Sequence, residues 1–528
     1  MNEKGAITPQ TRDKSQTSPH LERKVSIRRG EPMLSEANNA FACDLYRQLA
    51  TENSGRNLFF SPCSLFNVLA ICAEGARGAT ADELGNVLRF PAKLRHIERK
   101  DSENPWDLGP LRDRISTLNS LMGSDGTGEA DPGQIKESRM KLWHLSKREE
   151  EAKQQGDQNA QQQIAEETRR EQVRFDRLKA RTDPNVIHAA NSLWGEKTLP
   201  FRNEFVEVIE RHYLKDGISP VDFKGNAEDA ARLINDWVSR QTNGRITEIV
   251  SASSLDELTR LILVNAIYFK GEWERPFNAD LTRPLDFRRT DCSARRVPMM
   301  IQTDYDEATY AAFNGDGTSF PTPHWIKREL ELDPLAAIIQ DPVGSPGYPD
   351  SDGFALLDIP YRAHRLSMVL LAPNRHDGLA ALEERVTGDA LTRWIKQLKG
   401  RQVHVVVPRF NFDTGYQFSG VFRKLGLKRA FMDPSSGDGA DFRGMTISDK
   451  PDDQIFISEI FHNAFVDVNE RGTEAGASSA MAMYGAALGV PRTVPFVPVF
   501  KADSPFICII RDRPSGTILF MGRVMDPG

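Results

Sequence analysis

The chain has 528 residues, and its 68 lysines and arginines against 74 aspartates and glutamates give a formal net charge of −6. Because nucleic-acid binding needs a basic surface that neutralises phosphates, this balance argues against a nucleic-acid partner. Apolar runs stay shorter than the about eighteen residues that a membrane-spanning helix needs, so no membrane partner is expected. The five cysteines are scattered and form no C-x-x-C pair, which argues against a disulfide framework and a zinc site.

The N-terminal third is predicted to begin with a disordered extension and continue with helices. Residues 1–34 are polar, without apolar periodicity and without the apolar stretch of a secretory signal. Apolar residues then recur at three- and four-residue spacing, which predicts a helix. A strand is predicted at 57–60, and Ser61 before Pro62 is typical of a helix start. Thr80 is predicted to cap another helix, since Glu83 completes the spacing of a capping box.

Two segments differ in composition from the rest. Residues 123–182 are first rich in Gly and Asp and then in charged residues and Gln, so a helix there would bury little surface. Residues 310–352 are rich in Gly, Pro and turn-forming residues. We interpret both as insertions. One alternative is an interaction protein in which residues 123–182 bind the partner.

The remaining pattern predicts an α+β fold. Strands are expected at 186–194 and at 261–270, where a nearly continuous apolar run is typical of the middle of a sheet. Amphipathic helices are expected at 201–213 and 226–241. Short strands dominate from Phe354 onward, at 354–359, 366–372, 402–410, 455–468, 494–500 and 506–511. Because helices precede strands without regular alternation, a doubly wound sheet is not expected.

No enzyme signature is present. The chain lacks a G-x-S-x-G elbow, a G-x-x-x-x-G-K-[ST] loop and an H-E-x-x-H motif, and no two histidines fall at metal-ligand spacing. We therefore expect no catalytic residue, no metal site and no cofactor.

The segment 472–490 has an unusual composition. Sixteen uncharged residues, mostly Ala, Gly and Ser, follow Glu474. Small side chains suit a segment that must slide between two existing strands, because protein interiors are close-packed. In a strand Thr473, Ala475, Ala477 and Ser479 would point to one face. Composition alone also fits a flexible linker.

Strings along the chain resemble the serpin family. They lie at residues 57–65, 75–83, 265–273, 297–300, 440–442, 457–462, 469–475, 505–506 and 519–523. Their order and spacing match the family from about residue 35 to 528, apart from the insertions at 123–182 and 310–352. The resemblance therefore predicts one serpin domain, 35–528, behind the extension 1–34.

The resemblance implies a fold and a mechanism. The fold has three β-sheets, one of them a five-stranded central sheet, about nine helices and an exposed reactive-centre loop, in a metastable native state. In inhibitory serpins a target serine or cysteine protease forms an acyl-enzyme with this loop, which then inserts into the central sheet and traps a 1:1 covalent complex. We expect a monomeric suicide inhibitor. The alternative is a non-inhibitory serpin acting as chaperone, carrier or storage protein. The sequence as written predicts a cytoplasmic protein, and the family suggests secretion as the alternative.

The resemblance also carries over site residues. The hinge of the loop is expected at Glu470, Gly472, Thr473, Glu474, Ala475, Gly476, Ala477, Ser478, Ser479 and Ala480. The shutter and breach, which control opening of the central sheet, are expected to contain Ser61, Ser64, Asn265, Trp273, Arg409 and His462. Arg409 matches the partner of Glu470 in a hinge salt bridge. A blander interpretation makes Ser61 a helix cap and His462 an ordinary buried histidine.

The reactive bond is less well defined. Counting from Gly472 places it at Ala486–Ala487, which suits an elastase-like protease. The stretch from Gly472 to Pro505 is longer than in typical members, so counting from its other end leads to the region of Val494. Alternatives are therefore Tyr484 and Leu488 for chymotrypsin-like targets and Arg492 for trypsin-like targets.

Overall fold

The structure is a computed structural model. It describes residues 33–96, 104–122, 185–214, 216–328, 347–448, 450, 453–473 and 492–528, together with isolated positions between 137 and 171. Residues Met33–Gly528 cluster into one compact unit.

Nine helices lie in the described part of the chain, in agreement with the number expected from the family. They are α1 (Met33–Glu52), α2 (Pro62–Gly75), α3 (Gly78–Val87), α4 (Gly109–Met122), α5 (Asn203–His212), α6 (Ala227–Gln241), α7 (Leu379–Glu383), α8 (Gly388–Ile395) and α9 (Ser419–Lys424). Where the structure describes the chain, none of its helices has both the length and the apolar character needed to cross a membrane.

Twenty strands are described. They are β1 (Leu58–Phe60), β2 (Val186–Glu196), β3 (Ile218–Val221), β4 (Leu261–Glu272), β5 (Arg283–Arg288), β6 (Ala294–Tyr305), β7 (Thr309–Phe313), β8 (Ser319–Phe320), β9 (Trp325–Arg328), β10 (Phe354–Pro360), β11 (Leu366–Pro373), β12 (Lys399–Gly400), β13 (Val403–Pro408), β14 (Phe410–Gln417), β15 (Ile457–Val468), β16 (Gly472–Thr473), β17 (Arg492–Pro495), β18 (Val499–Lys501), β19 (Phe506–Asp512) and β20 (Ile518–Val524).

The central sheet has the strand order β14-β15-β4-β2-β3, with β16 added to one end of β4. Residues Leu261 to Phe269 of β4 are all buried, because the strand has neighbours on both edges and packing on both faces. This explains the continuous apolar run and confirms the predicted mid-sheet strand. β4 pairs parallel with β15, up to the pair Phe465–Tyr268, and antiparallel with β2.

Two further sheets complete the α+β architecture, as predicted. One has the order β1-β20-β19-β11-β10-β7-β12 with β8 on β7, and the other has the order β18-β13-β6-β5. Helix α2 is buried along almost its whole length and contacts β20 of the larger sheet and β2 and β4 of the central sheet. In place of the single strand predicted at 494–500, the chain forms β17, which pairs with β9 in a separate two-stranded ribbon, and β18.

The helix start at Ser61 is as predicted, but the one at Thr80 is wrong. The Ser61 hydroxyl accepts a hydrogen bond from the Ser64 amide, and α2 ends at Gly75. Helix α3 already begins at Gly78, so Thr80 lies in its first turn, where the hydroxyl accepts the Asp441 amide at 3.0 Å. A long-range contact therefore uses the side chain that the capping-box spacing had assigned to a local cap.

The segments interpreted as insertions are only partly described. Between 137 and 171, Leu145, Ala152 and Ile164 bury one another in a small cluster separate from the main core. Within 310–352, β7 pairs with β10 inside the eight-stranded sheet, and the described chain breaks after β9 and resumes at Gly347.

Candidate functional site: the loop hinge and the shutter network

The chain turns back into the central sheet immediately after β15. Asn469 and Gly472 exchange two backbone hydrogen bonds, of 2.9 and 3.2 Å, which close a tight turn that we call the hinge turn (469–472). β16 then runs antiparallel to β4, with Gly472 opposite Glu272 and Thr473 opposite Gly271. β15 pairs with β4 only as far as the pair Phe465–Tyr268, and β16 is the partner of β4 at Gly271 and Glu272.

Glycine is required at position 472. Its φ of +144° is a conformation that residues with side chains rarely adopt, and a Cβ atom there would lie 2.0 Å from the carbonyl oxygen of Gly271. Any side chain would therefore push β16 away from β4.

Trp273 fixes the hinge turn against the rest of the protein. Its backbone N–H donates to the Arg471 carbonyl at 2.8 Å, and its indole N–H donates to the Asn469 carbonyl at 2.9 Å. The ring is buried and stacks on Tyr361 with centroids 4.5 Å apart. Aromatic stacking and two hydrogen bonds thus hold both sides of the turn.

Glu470, at the corner of the turn, is bound by charged and neutral donors. Arg409 Nη2 lies 2.5 Å from Glu470 Oε1, Arg409 Nε donates to the same carboxylate at 2.7 Å, and the Thr282 hydroxyl donates at 2.6 Å. Burial raises the pKa of Glu470, but the hydrogen bonds from Arg409 and Thr282 outweigh this and hold the pKa below its usual range. The carboxylate is therefore ionised at neutral pH and anchors the turn.

We expect Arg409→Ala to loosen the hinge turn, because it leaves the carboxylate of Glu470 buried without its cation. Loop insertion or polymerisation on mild heating should become faster, by roughly fivefold for a loss of about 1 kcal/mol. The rate is measured on native gels of samples taken at successive times of heating. Lys424→Ala, which breaks an exposed ion pair with Glu52 between α9 and α1, is the matched control. Equal polymerisation rates for both variants and the parent protein would contradict this role.

Beneath the sheet, Ser61 joins the start of α2 to the eight-stranded sheet. Its hydroxyl donates to the Leu519 carbonyl at 2.7 Å and accepts the Ser64 amide at 3.2 Å. Ser61 is thus a helix cap and also one end of a larger network.

The network continues across the central sheet through amides and an imidazole. The Ser64 hydroxyl donates to Asn191 Oδ1 at 2.7 Å, and Asn265 Nδ2 donates to both Ser64 Oγ and Asn191 Oδ1. Asn265 Oδ1 contacts His462 Nδ1, and the Ser61 backbone N–H donates to His462 Nε2 at 3.2 Å. We call Ser61, Ser64, Asn191, Asn265 and His462 the shutter network. It links α2, β2, β4 and β15, and Asn265 lies directly opposite His462 in the β4–β15 ladder.

His462 must be neutral in this arrangement. Because Nε2 accepts the Ser61 N–H, the ring proton belongs on Nδ1, where it is donated to Asn265. Complete burial lowers the pKa of His462 to about 3. A second proton would set two N–H donors against each other and place an uncompensated charge in the core.

This predicts a pH dependence with a definite sign. Below about pH 6.5 the imidazole is protonated in the unfolded chain, whereas the folded chain resists protonation to about pH 3, so the free energy of unfolding falls as the pH drops through this window. The slope from His462 is about 1.4 kcal/mol per pH unit below about pH 6. Urea midpoints at pH 7, 6 and 5 should fall less steeply in His462→Gln than in the parent protein. Ile460→Val, a buried change in the same strand that removes no titrating group, should keep the parent slope. The same slope in all three proteins would refute the assignment.

The structure brings together several predicted residues and adds others. Ser61, Ser64, Asn265 and His462 meet in one network, while Trp273, Arg409, Glu470, Gly472 and Thr473 lie at the hinge turn. Asn191 and Thr282 were missed. Asn191 could have been noticed as a lone amide in the apolar strand 186–194, whereas nothing in the sequence around Thr282 points to Glu470.

The remaining predicted residues lie outside the described part of the chain. They are Glu474, Ala475, Gly476, Ala477, Ser478, Ser479, Ala480, Tyr484, Ala486, Ala487 and Leu488. Arg492, proposed as an alternative reactive residue, is described and lies in β17, opposite Arg328 of β9. Among the described residues no cluster of three or more metal-ligating side chains could hold a metal ion.

Comparisons with known proteins place these features in context. A family model described as serpin (serine protease inhibitor) matches residues 36–318 and 343–527. An uncharacterized serpin-like protein of Thermococcus kodakarensis is 30% identical over 515 residues, which cover 98% of this chain and 91% of the relative. Leukocyte elastase inhibitor A of Rattus norvegicus is 29% identical and plasminogen activator inhibitor 2 of Homo sapiens is 29% identical, each covering 94% of this chain and 99% of the relative.

Solved structures agree at the level of the fold. Uncleaved ovalbumin superposes with a TM-score of 0.62 at 22% identity, over 94% of this chain and 100% of the ovalbumin chain. A serpin of the insect Tenebrio molitor gives a TM-score of 0.62 at 23% identity, over 94% of this chain and 99% of the other.

Proposed function

Because the chain belongs to the serpin family, we propose that it is a protease inhibitor that acts once per molecule by inserting its reactive loop into the central sheet. The observation that carries the proposal is the hinge turn, after which β16 already pairs with β4 as the first residues of an additional strand. Similarity to relatives named leukocyte elastase inhibitor and plasminogen activator inhibitor 2 supports the inhibitory function.

Strand pairing provides the driving force for insertion. β4 and β15 are parallel, and β16 is antiparallel to β4 and therefore also to β15. If β16 lengthens, one parallel ladder is replaced by two antiparallel ladders, which adds hydrogen bonds and exchanges the slightly weaker pairing for the stronger one. The native protein is then not at its free-energy minimum, and a kinetic barrier preserves it.

The shutter network supplies part of this barrier. Asn265 and His462 are hydrogen-bonded directly across the β4–β15 ladder, which has to open for a strand to enter. Opening exposes buried polar groups that must find new partners, and such groups are costly while they remain unsatisfied. The same residues therefore stabilise the closed sheet and set the rate at which it opens.

The chemistry belongs to the target protease. Its serine hydroxyl or cysteine thiol attacks the carbonyl carbon of the reactive residue, the peptide C–N bond breaks, and the new amino terminus leaves with the proton that the nucleophile gave up. The loop, now an acyl-enzyme, inserts as a strand before water can hydrolyse the ester or thioester. This chain contributes the loop and the sheet.

We place the reactive bond at Ala486–Ala487. Counting from the hinge gives this bond. Counting from the C-terminal side gives a different bond, and we attribute the difference to additional residues at 492–498. Of these, residues 492–495 form β17, which pairs with β9. Arg492 is a poor alternative, because its backbone is paired with β9 and a protease must itself pair with an extended substrate backbone. Small residues at the bond suit an elastase-like protease.

Incubation with an elastase-like protease is expected to give a complex that survives SDS. Mass spectrometry should detect a released peptide running from Ala487 to Gly528. Chymotrypsin-like proteases, tested in parallel, should cleave the loop without forming the complex, and trypsin-like proteases should form no complex. If no protease yields a complex although the loop is cut, the inhibitory function is wrong.

Two neighbouring substitutions test insertion itself. Ala477→Arg places a long charged side chain on the face of the new strand that includes Thr473, whereas Ser478→Arg places the same side chain on the opposite face. If the Ala477 face turns into the core, we expect Ala477→Arg to be cleaved as a substrate with at least about tenfold less complex, because a buried unpaired charge is costly. Ser478→Arg should retain complex formation. Equal complex yields from the two variants would show that the strand does not insert in this register.

A further inference from the structure

The chain downstream of the reactive loop is held by a strand that the family model does not contain. β17 pairs antiparallel with β9, in the register Arg492–Arg328 to Pro495–Trp325. β9 lies within residues 319–342, which the family model leaves unmatched, while β17 follows the reactive loop directly. A strand outside the residues that the family model matches therefore binds the C-terminal arm of the loop.

Arg401 joins the two arms of this ribbon. Its Nη2 donates to the Pro323 carbonyl at 3.0 Å, on the β9 side, and to the Phe496 carbonyl at 2.9 Å, on the β17 side. Its guanidinium also lies 5.9 Å from the centroid of the Phe496 ring. One half-buried cation thus binds both chain segments where they leave the ribbon.

Phe496 anchors the same end of the ribbon in the protein body. Its backbone N–H donates to the His324 carbonyl at 2.9 Å, and its buried ring packs edge-on against Tyr348 with centroids 5.3 Å apart. Gly347 allows this approach, since a Cβ atom there would lie 2.8 Å from Phe496 Cζ. The Tyr348 hydroxyl accepts the Val499 amide at 2.9 Å, which ties the anchor to β18.

We propose that β9, β17, Arg401 and Phe496 form a loop clamp that fixes the C-terminal end of the reactive loop at Arg492 and so restricts protease attack to bonds within residues 474–491. The proposal deepens the proposed function and rests on it for its significance, because it specifies which bonds of the loop a target can use. In this assignment Arg401 is a positioning residue that acts through Phe496 and β9.

The clamp is also expected to persist after the loop is cleaved. After cleavage within 474–491 the upstream arm moves into the sheet, while β17 belongs to the arm that stays behind. A two-stranded ribbon is only marginally stable alone, so the contacts of Arg401 and Phe496 should determine whether it persists.

Two substitutions should weaken the clamp independently. Arg401→Gln removes the cation that donates to both chain segments, and Phe496→Ala removes the buried ring that packs on Tyr348.

The test is limited trypsin digestion of the full chain, with the rate of cutting at Arg492–Thr493 followed by mass spectrometry. Cleavage of a locally opened segment follows the population of the open form. We therefore expect Arg401→Gln and Phe496→Ala each to speed this cut by about tenfold. Arg296→Gln, which removes an arginine that donates to the Pro284 carbonyl on the edge of another sheet, should match the parent rate. Arg401→Lys should restore part of the protection.

Each outcome decides the proposal. Rapid cutting at Arg492 in the parent protein, or equal rates in the parent protein and all variants, overturns the clamp. Phe496→Ala gives an answer that is independent of Arg401→Gln. Elastase digestion of the same proteins separates the clamp from the inhibitory function. Protection at Arg492 without a stable protease complex would support the clamp and reject inhibition, and the reverse would reject the clamp alone.

Discussion

The parallel pairing of β4 with β15 is the constraint on which the structure depends. This parallel ladder lies in the middle of the central sheet and is slightly less stable than an antiparallel ladder would be. The hydrogen bond between Asn265 and His462 joins its two strands. The hinge turn brings β16 onto the end of β4. Under the proposed function, lengthening of β16 would add a strand at this ladder and lower the free energy of the fold.

The two ends of the proposed reactive loop have different contacts. At the upstream end, Glu470 is bound by Arg409 and Thr282, and the hinge turn packs on Trp273. At the downstream end, β17 pairs with β9. We propose that the upstream end moves into the central sheet after cleavage, whereas the downstream end stays paired.

Features set by neighbouring residues, such as helix starts and buried strands, could be predicted from the sequence. Features that depend on residues distant in the sequence could not. Ser61 before Pro62 identified the start of α2, and the apolar run in β4 identified a strand buried on both faces. Thr80 was misassigned because a distant amide, that of Asp441, takes its hydroxyl. Asn191 and Thr282 act through partners far away in sequence. The β9–β17 ribbon joins two four-residue strands more than 150 residues apart in the sequence. Neither strand has the alternation of apolar and polar residues that predicts a strand.

The thermal stability of the protein before and after a single cut in the loop tests the central claim most directly. A protease is used to cleave within residues 474–491, and the unfolding midpoints of the intact and cleaved forms are compared at neutral pH. If the native sheet stores free energy, the cleaved form gains a strand and its midpoint rises by at least about 10 °C. An unchanged midpoint, with residues 474–486 still open to a second protease, would show that the native fold is already the most stable one.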